Sequence, residues 1–377
     1  MSEKERKVAK FSVFLFVLAL VCSITTSEFI DMWQDPPIVP GPGVKEILPL
    51  SHWLEELRDS PFDTDVYILQ GSEKGGKLLI LGGTHPNEPA GLVTATLFVE
   101  NAVPIQGTIY VIPRANRSAF THSEPGEGTP QFFHIKLLDG SVRTFRFGSR
   151  RTNPIHQWPD PTVYRTGGMT TGGGEARNLN RAYPGDPRGN PTQKLAYAIT
   201  QLIRKEDIDL VCDLHESSPE YPVNNALVFH QKASELAAMV QMFLEDSGVS
   251  IRLEESPVNL RGLSHRELGD HTNAYPLLFE VANPSQGRLR GKASEELILT
   301  GIDKFYLAAA KRGELFVDYT DKGYPLDLRV ARHSAALLAT VEAWNLLFFD
   351  KPILLEGVPS YDEILAQGIG SFLRPTE

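Results

Sequence analysis

Apolar residues run along this chain in blocks of two lengths, each closed by polar, glycine-rich or proline-rich sequence. Short blocks such as "DVYILQG", "KLLILGG" and "GTIYVIPRAN" read as strands, and the longer "EPAGLVTATLFVENA" between the last two reads as a helix. The rhythm continues. "PTQKLAYAITQLIRKEDI" has an apolar face at helical spacing, "DLVCDLHES" is a strand running into a loop, and "ASELAAMVQMFLEDSG" is a helix stopped at Gly248. "AYPLLFEVANPSQG" reads as a further strand, and "EELILTGIDKFYLAAAKRG" and "RHSAALLATVEAWNLLFF" as two late helices. Such alternation predicts an α/β fold with a central mixed, mostly parallel sheet flanked by helices.

Two stretches break the rhythm. Residues 118–164 are polar and rich in Gly and Pro, and contain "FFHIKLLDGSVRTFRFGS", two β-like runs joined by Asp139-Gly140. That dipeptide favours a hairpin turn, so an insertion built on a β-hairpin is expected beside the sheet. At the other break, Phe11 to Thr26 carry no charge and follow Lys4, Arg6, Lys7 and Lys10. A basic stretch before a short apolar one is the pattern of a signal peptide, or of a membrane anchor if uncleaved, over residues 1–33. With the positive flank leading, the body is expected to be exported, periplasmic or extracellular, and to touch the membrane only through this segment. "QDPPIVPGPG" (34–43) is a linker, residues 44–349 the main domain, and 350–377 a C-terminal tail.

Composition narrows the classes. With 377 residues, 41% hydrophobic and 22% charged, the chain suits an enzyme-sized globular protein. A net charge of -10 speaks against a nucleic-acid partner. The two cysteines, Cys22 in the apolar run and Cys212 in a strand, make no disulfide framework, and Cys212 reads as a small buried hydrophobe.

The chemistry gathers where strands end. His85 and Glu88 follow "LLILGGT", His215 follows "LVCDL", and Glu280 lies in "LLFEVAN". Two imidazoles and one carboxylate form the ligand set of a catalytic zinc ion, and a second carboxylate nearby would serve as a base. Asp213 and His215 are two apart, so they share one face of their strand and the aspartate can orient the histidine. Glu280 in an apolar strand needs a partner, because an unpaired buried carboxylate is costly. "EARNLNRAYPG" sets Asn180 beside Arg181, with Arg177 three residues before Asn180. A guanidinium fork matches a carboxylate in two parallel hydrogen bonds, and an asparagine adds a third.

"HPNE", "NLNR", "DLH" and "FEVANPSQG", in that order, resemble the zinc carboxypeptidase superfamily, and most of all its succinylglutamate desuccinylase/aspartoacylase branch. The resemblance covers roughly Lys77 to Gly291. It implies a carboxypeptidase-like fold with one zinc ion per chain at the strand ends, held by His85, Glu88 and His215. It further implies Glu280 as general base, later returning its proton to the leaving amine, and Asn180 with Arg181 as the grip on a substrate carboxylate. The arginine that polarises the scissile carbonyl falls on Arg177, with Arg165 in "VYRTGG" as the alternative. Two departures stand out. The branch usually has Asp where this chain has Asn178, so hydrogen bonding around the carboxylate pocket is expected to differ. The chain after Glu280 reads as helical, where branch members often carry a β-rich domain.

The expected function is therefore an exported zinc-dependent hydrolase of the deacylase type, cutting an amide next to a carboxylate-bearing residue of a small N-acyl amino acid. The alternative within the same chemistry is a metallocarboxypeptidase trimming short peptides. From another class, a catalytically inactive, membrane-tethered binding module would have lost a ligand or the base, and all four residues are present. A serine hydrolase lacks its nucleophile elbow, since no G-x-S-x-G occurs.

Overall fold

The computed structural model describes residues 2–31, 34–124 and 128–376. Met1, Met32, Trp33, residues 125–127 and Glu377, which fall in the expected N-terminal segment, insertion and tail, lie outside the described residues. Residues up to Pro36 form a unit of their own, whose helix α1 (Glu3–Asp31) takes in both the basic residues and the whole apolar run. Among the described residues it is the one helix long and apolar enough to cross a membrane. Its 29 residues correspond to about 44 Å.

The second unit begins at Pro37. Its first strands are β1 (Val44–Pro49), β2 (Asp65–Gln70), β3 (Glu73–Leu81) and, after helix α2 (Pro89–Asn101), β4 (Val103–Ile112). Two small hairpins follow, β5 (Phe132–Lys136) with β6 (Val142–Arg146), and β7 (Val163–Thr166) with β8 (Met169–Gly172). Beyond α3 (Pro191–Lys205) the chain lays down β9 (Leu210–Ser217), β10 (Ala226–Phe229), α4 (Ser234–Asp246), β11 (Arg252–Glu255), α5 (Ser264–His271) and β12 (Tyr275–Ala282). Helices α6 (Glu295–Thr300), α7 (Lys304–Lys311) and α8 (Leu326–Leu347), then β13 (Leu354–Glu356) and α9 (Tyr361–Gln367), complete it.

The large sheet has the order β1-β2-β4-β3-β9-β12-β10-β11, with β13 on β4. Its centre, β4-β3-β9-β12, is parallel, and antiparallel pairs lie toward the edges. The expected mixed sheet is present, and its parallel part carries the strand ends of interest. Alternating side chains divide the core. Leu78 and Ile80 face α2, α4 and α8, whereas Leu79 and Leu81 face α3 and α5. Asn190 opens α3 with a reciprocal cap to Gln193, ahead of Pro191 at the first helical position.

Helix α2 is buried on every side, so it needs cover beyond the sheet. The β5–β6 hairpin, turning through Gly140 at φ 85° as the Asp139-Gly140 pair predicts, supplies Phe133, Ile135 and Phe145 to that cover. The C-terminal stretch supplies Ile364, Ile369 and Leu373, while β13 pairs with β4. Residues 350–376 are thus an integral layer of the body and not a separate tail. Arg143, on the hairpin, meets Glu100 of α2 at 2.9 Å with both side chains buried, and also bonds the carbonyls of Arg374 and Pro37. A second correction concerns "EELILTGIDKFYLAAAKRG", which is two helices. Gly301 takes a left-handed conformation at φ 62°, and the Asp303 side chain then caps α7 by accepting from the amides of Phe305 and Tyr306.

Candidate functional site

The loop after β3 positions the first pair. Gly83 turns the chain at φ 61°, and the run from Thr84 to Glu88 leads into α2, with Glu88 at its N-cap and Pro89 next. A Cβ on Gly91 would lie 2.6 Å from the Leu214 carbonyl, so a glycine there lets α2 close on β9. The second pair comes from register. His215 of β9 and Glu280 of β12 are direct partners in adjacent parallel strands and project from the same face.

Ligand-type atoms of His85, Glu88 and His215 lie within 4.8 Å of one another, and all three residues are buried. Glu88 sits between the imidazoles, its Oε1 2.8 Å from His85 Nδ1 and its Oε2 2.9 Å from His215 Nδ1. The outer ring nitrogens are held from behind. The Asn180 backbone N–H donates to Asn178 Oδ1, which orients that amide as an acceptor, so His85 Nε2 must be the donor in its 2.9 Å contact with the same oxygen. The Nδ1 lone pair is thereby turned inward. Asn178 Nδ2 passes the chain on to Glu175 Oε2 at 2.7 Å. His215 Nε2 lies 3.0 Å from Asp213 Oδ2, off the line of a straight hydrogen bond, and Thr84 and Ser264 hydroxyls donate to Asp213. Asn178 therefore buttresses His85 and, through the Asn180 backbone N–H and Glu175, also touches the surroundings of the Asn180-Arg181 pair.

Charge follows from these contacts. Burial and the Arg150 guanidinium push His85 down to about 4, so it is neutral. Burial opposes ionisation of His215, but Asp213 and Glu88 outweigh it and raise His215 well above its ordinary value. Glu88 is held well below the carboxylate range because the two imidazoles overcome its burial. Glu280 goes the other way. Its carboxyl is raised, chiefly by burial, and Oε2 has no hydrogen-bond partner.

His85, His215 and Glu280 line a cleft of about 320 Å3 together with Asn180, Arg181 and Arg150. Ser264 N donates to Asn180 Oδ1 at 2.8 Å, leaving the amide NH2 as the end able to serve a ligand. The Arg181 guanidinium bonds its neighbour's carbonyl, lies 3.8 Å from Glu175, and is lowered by burial and by Arg150, so it stands as a cation short of a counter-charge.

Arg177 and Arg165 are not in the cleft. Arg177 pairs bidentately with Asp160, at 2.7 and 3.0 Å, and donates to the Thr152 carbonyl, so its fork is consumed in tying the insertion down. Arg165 is exposed on β7. The arginine that reaches the site is Arg150, whose Nη1 is 3.2 Å from Glu88 Oε1. Its one signal in sequence is the pair Arg150-Arg151 where the insertion returns to the body. Arg151, its neighbour, turns away to Glu175 at 2.7 Å.

No curated protein matches the chain in sequence. Among solved structures, it is similar to a succinylglutamate desuccinylase/aspartoacylase from Rhodobacter sphaeroides, with 16% identity over 58% of this chain and 52% of that one and a TM-score of 0.36. It is also similar to a metallo-carboxypeptidase from Burkholderia cenocepacia (13% identity, 85% and 69% coverage, TM-score 0.46). A third is the tripeptide-bound cell shape determinant protein Csd4 from Helicobacter pylori (15%, 80% and 59%, TM-score 0.45). The chain thus spans between half and three fifths of the Rhodobacter and Helicobacter proteins. The family model for the succinylglutamate desuccinylase/aspartoacylase catalytic domain matches residues 74–290, more than half of the chain and all of the cleft residues just described, and the chain belongs to that family.

Proposed function

We propose that the protein is a zinc-dependent hydrolase that cuts an amide bond next to a carboxylate-bearing residue, in the manner of a deacylase of N-acyl amino acids. The observation that carries this reading is the meeting, at one cleft, of His85, Glu88 and His215 with an unpartnered carboxylate at Glu280 and two guanidiniums at Arg150 and Arg181. The donor set fits the metal. Both inward nitrogens are Nδ1, His85 Nε2 is hydrogen-bonded to Asn178, His215 Nε2 lies 3.0 Å from Asp213, and two imidazoles with one carboxylate would be the residues that hold a catalytic zinc ion. A zinc ion held there supplies Lewis acidity and makes water a better nucleophile near neutral pH.

The chain's own residues do the rest. Asn180 and Arg181 hold the substrate carboxylate by charge-assisted hydrogen bonds, which fixes the adjacent amide over the cleft. Glu280 accepts a proton from the attacking water and delivers it to the departing amine. Arg150 donates to the carbonyl oxygen as charge builds on it, a contribution usually worth about 3 to 4 kcal/mol. The α1 helix with its leading basic residues supports export, with the body outside the cytoplasm and either released or held by that helix.

The test is metal analysis of the full chain, followed by hydrolysis of N-acyl amino acids and short peptides alongside their carboxyl-amidated twins. One zinc per chain and cleavage of the free acids are expected. Equal rates on acid and amide would remove the carboxylate grip and the reading with it. Faster cleavage of peptides than of N-acyl amino acids would turn the deacylase into a carboxypeptidase on the same machinery.

A further inference from the structure

Resting on that reading, we propose that the site selects a leaving residue with a single carboxylate and a neutral, apolar side chain, and rejects aspartate and glutamate. The wall next to the carboxylate grip decides this. Residues 260–264 are stitched to residues 180–183 by two hydrogen bonds, from Ser264 N to the Asn180 side-chain Oδ1 at 2.8 Å and from Tyr183 N to the Gly262 carbonyl at 3.1 Å. Gly262, at φ 84°, lies so close that a Cβ would sit 2.4 Å from the Arg181 carbonyl. The side chain borne by the carbon next to the gripped carboxylate therefore meets this segment first. It presents Leu263, 7% exposed, and half-buried Leu260 to the cleft, whose lining also includes Tyr221, Ser217, Ser218 and Gln286.

A second carboxylate on the substrate would find no uncommitted cation there. Among the described residues that line the cleft, the cations besides the histidines are Arg150 and Arg181. Arg181 serves the first carboxylate, and Arg150 already faces Glu88. The arginines just behind the wall are committed, Arg261 to Glu267 and Asp270 at 2.8 Å each, and Arg266 to Asp270 at 2.8 Å. A charge brought against leucines without a counter-ion is selected against, whereas an alkyl or aromatic side chain gains by burial.

The experiment compares kcat/KM of the full-length holoenzyme on matched series, with leucine, methionine and phenylalanine against aspartate and glutamate, each joined to the same acetyl, succinyl or aminoacyl group. A preference for the apolar residues of about 100-fold or more is expected. Equal or better rates on the acidic residues would overturn the preference while leaving the hydrolase reading intact. No turnover of any series by zinc-loaded enzyme would overturn both. Leu263→Arg should supply the missing cation, raising kcat/KM on the acidic series at least about tenfold and lowering it on the apolar series. Leu260→Arg makes the same test at the half-buried rim, where the longer side chain does not burden the core. Folded, metal-loaded variants of both kinds that leave the ratio unchanged would show that this wall does not meet the substrate.

Discussion

The two halves of the cleft are built differently. His215 and Glu280 stand on the central parallel strands, where pleat and register assign each side chain a direction, and His85 and Glu88 stand on the short loop that joins β3 to α2. Asn180, Arg181 and Arg150 stand on short 3-10 turns and on the returning arm of the insertion, where no such periodicity operates. On the strands of the first half, position in the sequence is enough to say where a side chain goes. In the second, long flexible arginines go where a remote carboxylate calls them: Arg177 to Asp160, Arg151 to Glu175, Arg150 to Glu88.

The largest effect expected from breaking this contrast lies in the sheet half. His215→Ala should bring zinc from one per chain to almost none and abolish turnover, because a two-ligand site no longer retains the ion. Normal zinc content in that variant would mean the ion is held elsewhere. Glu280→Gln should keep the zinc and lose about 10²- to 10⁴-fold in kcat, since it keeps the shape and removes the proton acceptor. If turnover stays within a few-fold, the base must be sought among the other carboxylates.

The loop half divides by partner. Arg150→Ala should cost about 10²- to 10³-fold in kcat, as removal of one oxyanion donor does. Arg177→Ala should change kcat less than tenfold and instead lower stability by about 1–3 kcal/mol, because it breaks the bonds to Asp160 and Thr152. The reverse pattern, seen in parallel kinetics and denaturant melts, would exchange the two assignments. Arg181→Lys replaces a fork by a point charge. It should reduce activity on the free acid about 10- to 150-fold, with little change on its amidated twin.

The smallest effect is a slope with pH. In the metal-free protein Asp213 and Glu88 outweigh burial and keep His215 protonated above its ordinary value, so zinc must displace a proton from it. Apparent zinc affinity, measured by chelator competition, should therefore fall by up to about tenfold per pH unit as pH drops below that raised pKa. The sign for stability is opposite. A histidine whose folded pKa is raised stabilises the metal-free fold fully below about pH 6.5, and that contribution fades as pH rises through the folded value. Affinity flat with pH would place the proton elsewhere.

Much of the fold was legible for the same reason as the sheet half. Short apolar blocks became strands, the run with an apolar face at helical spacing became α3, and Asp139-Gly140 made a hairpin. What was misread was tertiary. Gly301 looked like an interior glycine until its left-handed φ and the Asp303 cap ended one helix and began another. Residues 350–376 read as a tail in the sequence, yet they complete the shell that α2 requires. Asn178 lay beside the carboxylate motif in sequence, but the turn of the chain aims it at His85.

Sequence alone determined the α/β rhythm, the strand ends that carry His85, Glu88, His215 and Glu280, and the side-by-side pair Asn180-Arg181, because these depend on spacings of a few residues that the backbone geometry converts directly into directions. The tertiary structure alone decided which arginine enters the cleft and which wall faces the substrate's side chain. Those outcomes depend on ion pairs and a hydrogen bond between residues 17 to 84 positions apart, Arg177 with Asp160, Arg150 with Glu88, and Ser264 N with the Asn180 side chain. A guanidinium is placed by whichever carboxylate the fold brings within reach, and no local pattern encodes that.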